Sequence, residues 1–148
     1  VLTRDAETKH GFNAHGVVSD ETHAQRSREL HDVLATSTGA RRQPMVIDIS
    51  TAGYNKLTLL GEIYDYAKSV IGGRVVDHSF FAFIAEASEA DDPFDELTWM
   101  KANPGYGVSI KAAYIRGEFA KAAVTPGYKD TVLRLHLNLW TSASAQHM

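Results

Sequence analysis

The chain has 148 residues, 44% of them apolar and 22% charged. That is the size of one ordinary domain, and the composition excludes a disordered polypeptide. The net charge of -3 lacks the basic signature of a stand-alone nucleic-acid binder, although a larger protein can supply that surface. The absence of Cys excludes disulfides, thiolate metal sites and thiol nucleophiles and fits a reducing compartment.

Residues 1–14 are polar and irregular, with Gly11-Phe12-Asn13-Ala14 leading into a short strand at His15-Gly16-Val17-Val18-Ser19. Thr22 to Ala35 has helical spacing, with Leu30, Val33 and Leu34 on one side. Ser37-Thr38-Gly39-Ala40 breaks it. Pro44 opens the near-continuous apolar run Met45-Val46-Ile47-Asp48-Ile49-Ser50, the pattern of a strand buried on both faces. After the turn Thr51-Ala52-Gly53, a second helix spans Leu57 to Ile71 and ends at Gly72-Gly73. Ser79 to Ala85 is rich in aromatics and reads as a third strand.

The order β-α-β-α-β predicts an α/β fold, a parallel sheet with helices packed on it. Beyond residue 88 the pattern turns helical. Asp91-Asp92-Pro93-Phe94-Asp95-Glu96 opens a short helix with acids at its positive end, and Asn103 to Gly107 is a turn. Two more helices are expected at Ser109 to Ala123 and Tyr128 to Trp140, separated by Pro126-Gly127. The small, polar segment from Thr141 has the composition of a linker or tail. No apolar run approaches the ~18 residues of a membrane span, and no signal peptide opens the chain.

The chemistry concentrates at Val17-Val18-Ser19-Asp20-Glu21-Thr22. Two β-branched residues running into adjacent acids have the form of the Walker B strand of a P-loop ATPase. At the carboxyl end of such a strand Asp20 can hold Mg²⁺ through water, and Glu21 can act as general base or water-positioning group. The same acids also suit an ordinary strand-to-helix junction, where negative charge favours the helix start. No G-x-x-x-x-G-K-[ST] phosphate loop occurs in the sequence, so half of a nucleotide site is present. That suggests a fragment, and Val rather than Met as first residue fits a start after processing or inside a longer reading frame.

Ser50-Thr51-Ala52 follows the second strand, where hydroxyls can sense a γ-phosphate or simply cap a turn. Arg41 and Arg42 precede that strand. They suit a neighbouring subunit's phosphate or DNA, although two Arg before a Pro are more often a solvated strand start. Asp20-Glu21-Thr22-His23 has the D-E-x-H form of some helicases, in which the His links the nucleotide site to the strand that follows, although a lone His is more often a helix-surface residue. His10, His15 and His23 lack zinc-site spacing.

Taken in order, these stretches resemble the large terminase subunit of tailed bacteriophages, the motor that packages DNA. The segments Asp5 to Asn13, Val17 to Gln25, Gly39 to Pro44 and Ile49 to Tyr54 carry the resemblance. So do Phe94-Asp95-Glu96, Trp99, Lys101 to Pro104 and Leu133 to Trp140. Ser19 and Thr22 depart from it, standing where the family usually has a bulky apolar residue and often Leu. The resemblance implies a partial P-loop-type parallel sheet flanked by helices, followed by a helical C-terminal segment. Residues 1–88 would be the Walker B half of an ATPase domain, 89–140 a helical subdomain leading to a linker, and 141–148 linker or tail.

By the same resemblance Asp20 is the Mg²⁺ ligand, Glu21 the catalytic carboxylate and Ser50-Thr51-Ala52 the coupling motif. Arg41 and Arg42 are candidate phosphate or DNA contacts. The cofactors implied for the full-length protein are ATP and Mg²⁺, with Walker A and the nuclease acids outside the chain. The partners implied are double-stranded DNA, the portal protein, the small terminase subunit and further copies in a ring. The implied location is the host cytoplasm, docked on the procapsid, with no membrane contact. The alternatives are another nucleic-acid translocase with a D-E-x-H box and a non-catalytic scaffolding module. A sheet without its Walker A strand is expected to leave an apolar surface on one side, and the chain alone is expected neither to hydrolyse ATP nor to bind it tightly.

Overall fold

A computed structural model describes residues 11, 13–25 and 28–141. The expectations for residues 1–10, Phe12 and the tail 142–148 lie outside the described residues. The element order is β1 (Gly16–Asp20), a 3₁₀ turn (Thr22–Ala24), α1 (Glu29–Thr36), β2 (Met45–Ile49), α2 (Leu59–Ile71), α3 (Glu96–Ala102), α4 (Ala112–Val124) and α5 (Pro126–Leu137). The fold is mixed α/β, as the strand and helix periodicities predict.

β1 and β2 pair in parallel, Gly16 opposite Met45 through to Asp20 opposite Ile49. A parallel pair needs a crossover connection, and α1 lies within it. The register brings Asp20 and Ser50 to the same, carboxyl edge of the sheet. The single helix expected over Thr22 to Ala35 is replaced by the 3₁₀ turn and the shorter α1. Glu21 takes a left-handed conformation, φ 53 and ψ 47, which ends the strand abruptly and aims the chain away from an α-helical start.

Thr58 precedes α2 and its side chain accepts a hydrogen bond from the Gly61 N–H, an N-cap that satisfies one of the free donors of the first turn. Gly61 is required there: a Cβ would lie 1.8 Å from the Lys56 carbonyl oxygen. Pro126 does not separate α4 from α5 but occupies the first turn of α5, where its missing N–H has no partner to lose.

The third strand expected at Ser79 to Ala85 does not form. Residues 80–88 have no regular secondary structure and no ladder. Phe81 and Phe83 are 88% and 72% exposed, whereas Ala82 and Ile84 are half-buried, so the alternation of a strand is there but the neighbour is not. A ladder needs a partner about 4.8 Å away. Between β2 and this segment lies instead a cavity of about 800 Å³, lined by both of them and by Leu60, Ile63 and Tyr64 of α2. The apolar surface expected at the incomplete side of the sheet is therefore present: Met45, Val46, Ile47 and Ile49 of β2 are exposed.

The main core belongs to the helical part. Ala87, Trp99, Ala102, Ile115, Phe119, Ala122, Val132 and Leu137 form one buried cluster. Within it Trp99 stacks on Phe119 at 4.7 Å between ring centroids, and the indole N–H donates to the Pro93 carbonyl at 2.8 Å.

Candidate functional site

The carboxyl edge of the sheet assembles three of the motifs read from sequence. Asp20 closes β1, and its Oδ1 accepts a hydrogen bond from the Glu21 N–H at 2.9 Å. That contact holds the left-handed turn which swings Glu21 outward. Both carboxylates are exposed. Opposite them, at the end of β2, Ser50 accepts from the His23 N–H at 3.0 Å. The His23 ring Nδ1 also lies 3.0 Å from the Ser50 oxygen and 3.1 Å from Oε2 of Glu21. His23 is thus no surface histidine. It bridges the two strand ends, the link to the following strand that the D-E-x-H form of the tetrad suggests.

Ser19 and Thr22, the two departures from the family pattern, are buried and supply each other's hydrogen bonds. The Thr22 hydroxyl lies 3.3 Å from the Ser19 carbonyl oxygen, the Ser19 hydroxyl and Asp48 Oδ1 alike. Gln25 Nε2 donates to the Ser19 hydroxyl as well. His31 Nε2 stands 3.3 Å from the other Asp48 oxygen. A buried hydroxyl is costly only when unpartnered, so this polar cluster replaces an apolar contact without leaving Ser19 unsatisfied.

Ala52, the last residue of Ser50-Thr51-Ala52, is gripped from the far end of the chain. Its N–H donates to Asn138 Oδ1 at 3.3 Å, and the Asn138 amide donates in turn to the Ala85 carbonyl at 2.9 Å. Asn138 caps α5 in the left-handed region, φ 54, a conformation that Asn tolerates better than most residues. Arg134, buried, lies with its guanidinium 4.3 Å from the Tyr54 ring centroid and reaches the Ala52 carbonyl at 3.5 Å. Neither residue was legible as a site residue, because their partner lies more than eighty positions away.

Arg41 and Arg42 are not brought to this edge. They precede β2 and so lie at the opposite, amino end of the sheet, about 16 Å away along five strand residues. Arg41 donates through Nε and Nη2 to the Asn13 carbonyl, at 3.1 and 2.7 Å. Among the described residues no group of three His, Cys, Asp or Glu side chains is placed to hold a metal ion. Asp20 and the Ser50 hydroxyl are hard oxygen donors on one edge. They fit a cation that keeps most of its water and takes one or two protein ligands, as Mg²⁺ does.

On the floor of the cavity beside β2, Glu86 accepts from the Tyr64 hydroxyl at 2.8 Å and from Lys68 Nζ at 2.8 Å. Burial, reinforced by that carboxylate, pushes the Tyr64 phenol well above its ordinary range.

Comparison with known proteins places this arrangement. Residues 1–69 match the model of the terminase large subunit ATPase domain, and residues 74–148 that of the terminase large subunit endonuclease domain. The chain belongs to the terminase large subunit family. It is 34% identical to Protein YmfN of Escherichia coli (strain K12) over 99% of its own length and 32% of that protein's. It is 28% identical to the terminase large subunit of Enterobacteria phage HK97, over 93% of this chain and 27% of the relative. The crystal structure of the HK97 bacteriophage large terminase superposes with a TM-score of 0.76 at 26% identity, covering 88% of this chain and 27% of the other. The chain therefore spans about a third or less of the length of the relatives it matches. Among the described residues no helix is long and apolar enough to cross a membrane.

Proposed function

We propose that this chain supplies the Walker B half of an ATPase motor that drives double-stranded DNA into a procapsid. The observation that carries the reading is the register of β1 with β2, which sets Asp20 and Glu21 beside Ser50 at one sheet edge. In this reading Asp20 holds Mg²⁺ through water, and the ion when bound neutralises charge on the ATP phosphates. Glu21, exposed and swung out by its left-handed backbone, orients and deprotonates the attacking water. Ser50-Thr51-Ala52 is the coupling segment, because it touches both the acidic turn, through His23, and the end of α5, through Asn138.

The cavity beside β2 belongs to the same reading. Its place along the open, apolar side of β2 favours a slot for one further strand, the one that carries the phosphate loop in the full-length protein. Arg41 and Arg42, at the opposite edge, are assigned to DNA or to a neighbouring subunit's phosphate. DNA would be held by its phosphates rather than its base edges, making translocation independent of sequence. Portal protein, small terminase subunit and further copies in a ring are the partners, and the host cytoplasm beside the procapsid is the place of action.

The test is ATP turnover by a full-length terminase carrying this sequence, with and without linear double-stranded DNA. Glu21→Gln should lower kcat by about 10²–10⁴, the usual worth of a general base. Equal turnover in both proteins removes Glu21 from catalysis. A wild type that folds and binds DNA but does not turn over is a binding module.

A further inference from the structure

The cavity beside β2 has two facing walls: β2 with the residues that follow it, and the segment from Ser79 to Glu86. The second wall leans on α2 near both its ends. Tyr66 meets Phe80 edge-on, 5.0 Å between ring centroids, and Tyr64 donates to Glu86. Among the described residues no hydrogen bond passes directly from one wall to the other. They are joined through Asn138, which lines the cavity. Its Oδ1 accepts from the Ala52 N–H of one wall at 3.3 Å, and its Nδ2 donates to the Ala85 carbonyl of the other at 2.9 Å. A donor on one side and an acceptor on the other fix which way the amide faces. The base of this link is firm. Leu137, fully buried, accepts from the Ala87 N–H at 2.9 Å. Since Ala52 follows β2, a single side chain spans the carboxyl end of the cavity.

We propose that Asn138 is a positioning residue for the phosphate loop, a strut that sets the gap at the carboxyl end of the slot. This inference rests on the reading of the cavity as the place of the strand that carries that loop. A strand whose loop is to meet Asp20 at the carboxyl edge must run parallel to β2, and so it leaves the slot beside Asn138. Were the gap free to widen or close, the loop would stand in its binding arrangement only part of the time. Apparent affinity falls by that fraction. The plain alternative is that Asn138 serves only to cap α5 in the left-handed region. Glycine separates the two, because it adopts that conformation without the cost of a Cβ yet has no amide to span the gap.

The experiment titrates a non-hydrolysable ATP analogue with Mg²⁺ into a full-length terminase carrying this sequence, by calorimetry, which reads affinity and number of sites separately. Asn138→Gly should keep the urea midpoint of a folded protein and bind the analogue about tenfold more weakly at full stoichiometry, the factor that one to two neutral hydrogen bonds carry. Affinity for linear double-stranded DNA should stay within about twofold. Asn138→Asp keeps the left-handed conformation and the bond from Ala52 but turns an oxygen on the Ala85 carbonyl. It should lose at least as much, and it decides the matter where the glycine variant does not fold. Wild-type affinity in these variants overturns the proposal. So does a fall in the number of sites at unchanged affinity, the mark of a merely structural residue, or an equal loss of affinity for DNA. Failure of the underlying reading looks different: wild type itself then does not bind the analogue, and the strut falls with it.

Discussion

Glu21 is held where few side chains sit. The left-handed region costs a residue with a Cβ roughly 1–2 kcal/mol, and glycine would occupy it freely while losing roughly 0.5–1 kcal/mol through its more flexible unfolded chain. Glu21→Gly should therefore leave the urea midpoint unchanged or raise it, by up to about 1 kcal/mol in stability, although it deletes the carboxylate. A large loss of stability would show that the outward turn is held by the side chain rather than imposed on it. Asp77 and Asp91 report on the solvent side of the molecule. The Ser79 hydroxyl, then Tyr66 and the Ser79 N–H, hold Asp77 down to about 2. Lys101, then the N–H and hydroxyl of Ser88, hold Asp91 down to about 2. Both folded values lie below the unfolded one, so their stabilisation is complete above about pH 4 and is lost as pH falls through about 2. The denaturation midpoint of wild type should drop over that window, and the drop should be shallower in Asp77→Asn/Asp91→Asn.

At the scale of elements, strand pattern and strand partnership separate. The run Met45 to Ser50 and the aromatic run Ser79 to Ala85 both read as strands, yet only the first has a ladder, because β1 lies beside it. Side-chain alternation is written in a segment's own residues, whereas a ladder requires a second segment at the right distance. For the same reason the meeting of Asp20, Glu21 and Ser50 was legible: β-α-β periodicity implies parallel strands with their ends together. The D-E-x-H form pointed to the His23 link as well, whereas the Asn138 clasp was not legible, since it turns on a contact across most of the chain. The free edge of β2 carries a prediction of its own. Unpaired edges with exposed apolar side chains invite association, so the 148-residue chain should self-associate as its concentration rises. Ile47→Lys, on the wall of the slot, should shift it towards monomer in sedimentation velocity. Equal sedimentation of the two at every concentration would mean that the edge is inert.

Over the whole molecule stability is unevenly placed. The buried cluster around Phe119 lies in the helical half, while the face of β2 is largely open. Phe119→Ala, which removes the ring stacked on Trp99, should cost about 3–5 kcal/mol, read by urea denaturation with Trp fluorescence. A loss below about 1 kcal/mol would show that the cluster collapses around the void. That helices would occupy the second half was plain from its turns and caps. That they would also close upon the segment after β2 was not, because a buried arginine such as Arg134 looks in sequence like any cation on a helix.

The two family models meet between residues 69 and 74, but the folded chain has no seam there. Tyr64 and Lys68 reach across to Glu86, Tyr66 to Asp77, and Ala52 to both Arg134 and Asn138. A genetic crossover placed at that junction, in nature or in a chimera, would join halves inherited from different parents and leave each clasp holding a stranger's partner. What such a hybrid must inherit together is therefore α2 with the stretch from Asp77 to Glu86, and residues 50–54 with the end of α5. These are units of descent that cut across the boundary by which the two halves are recognised.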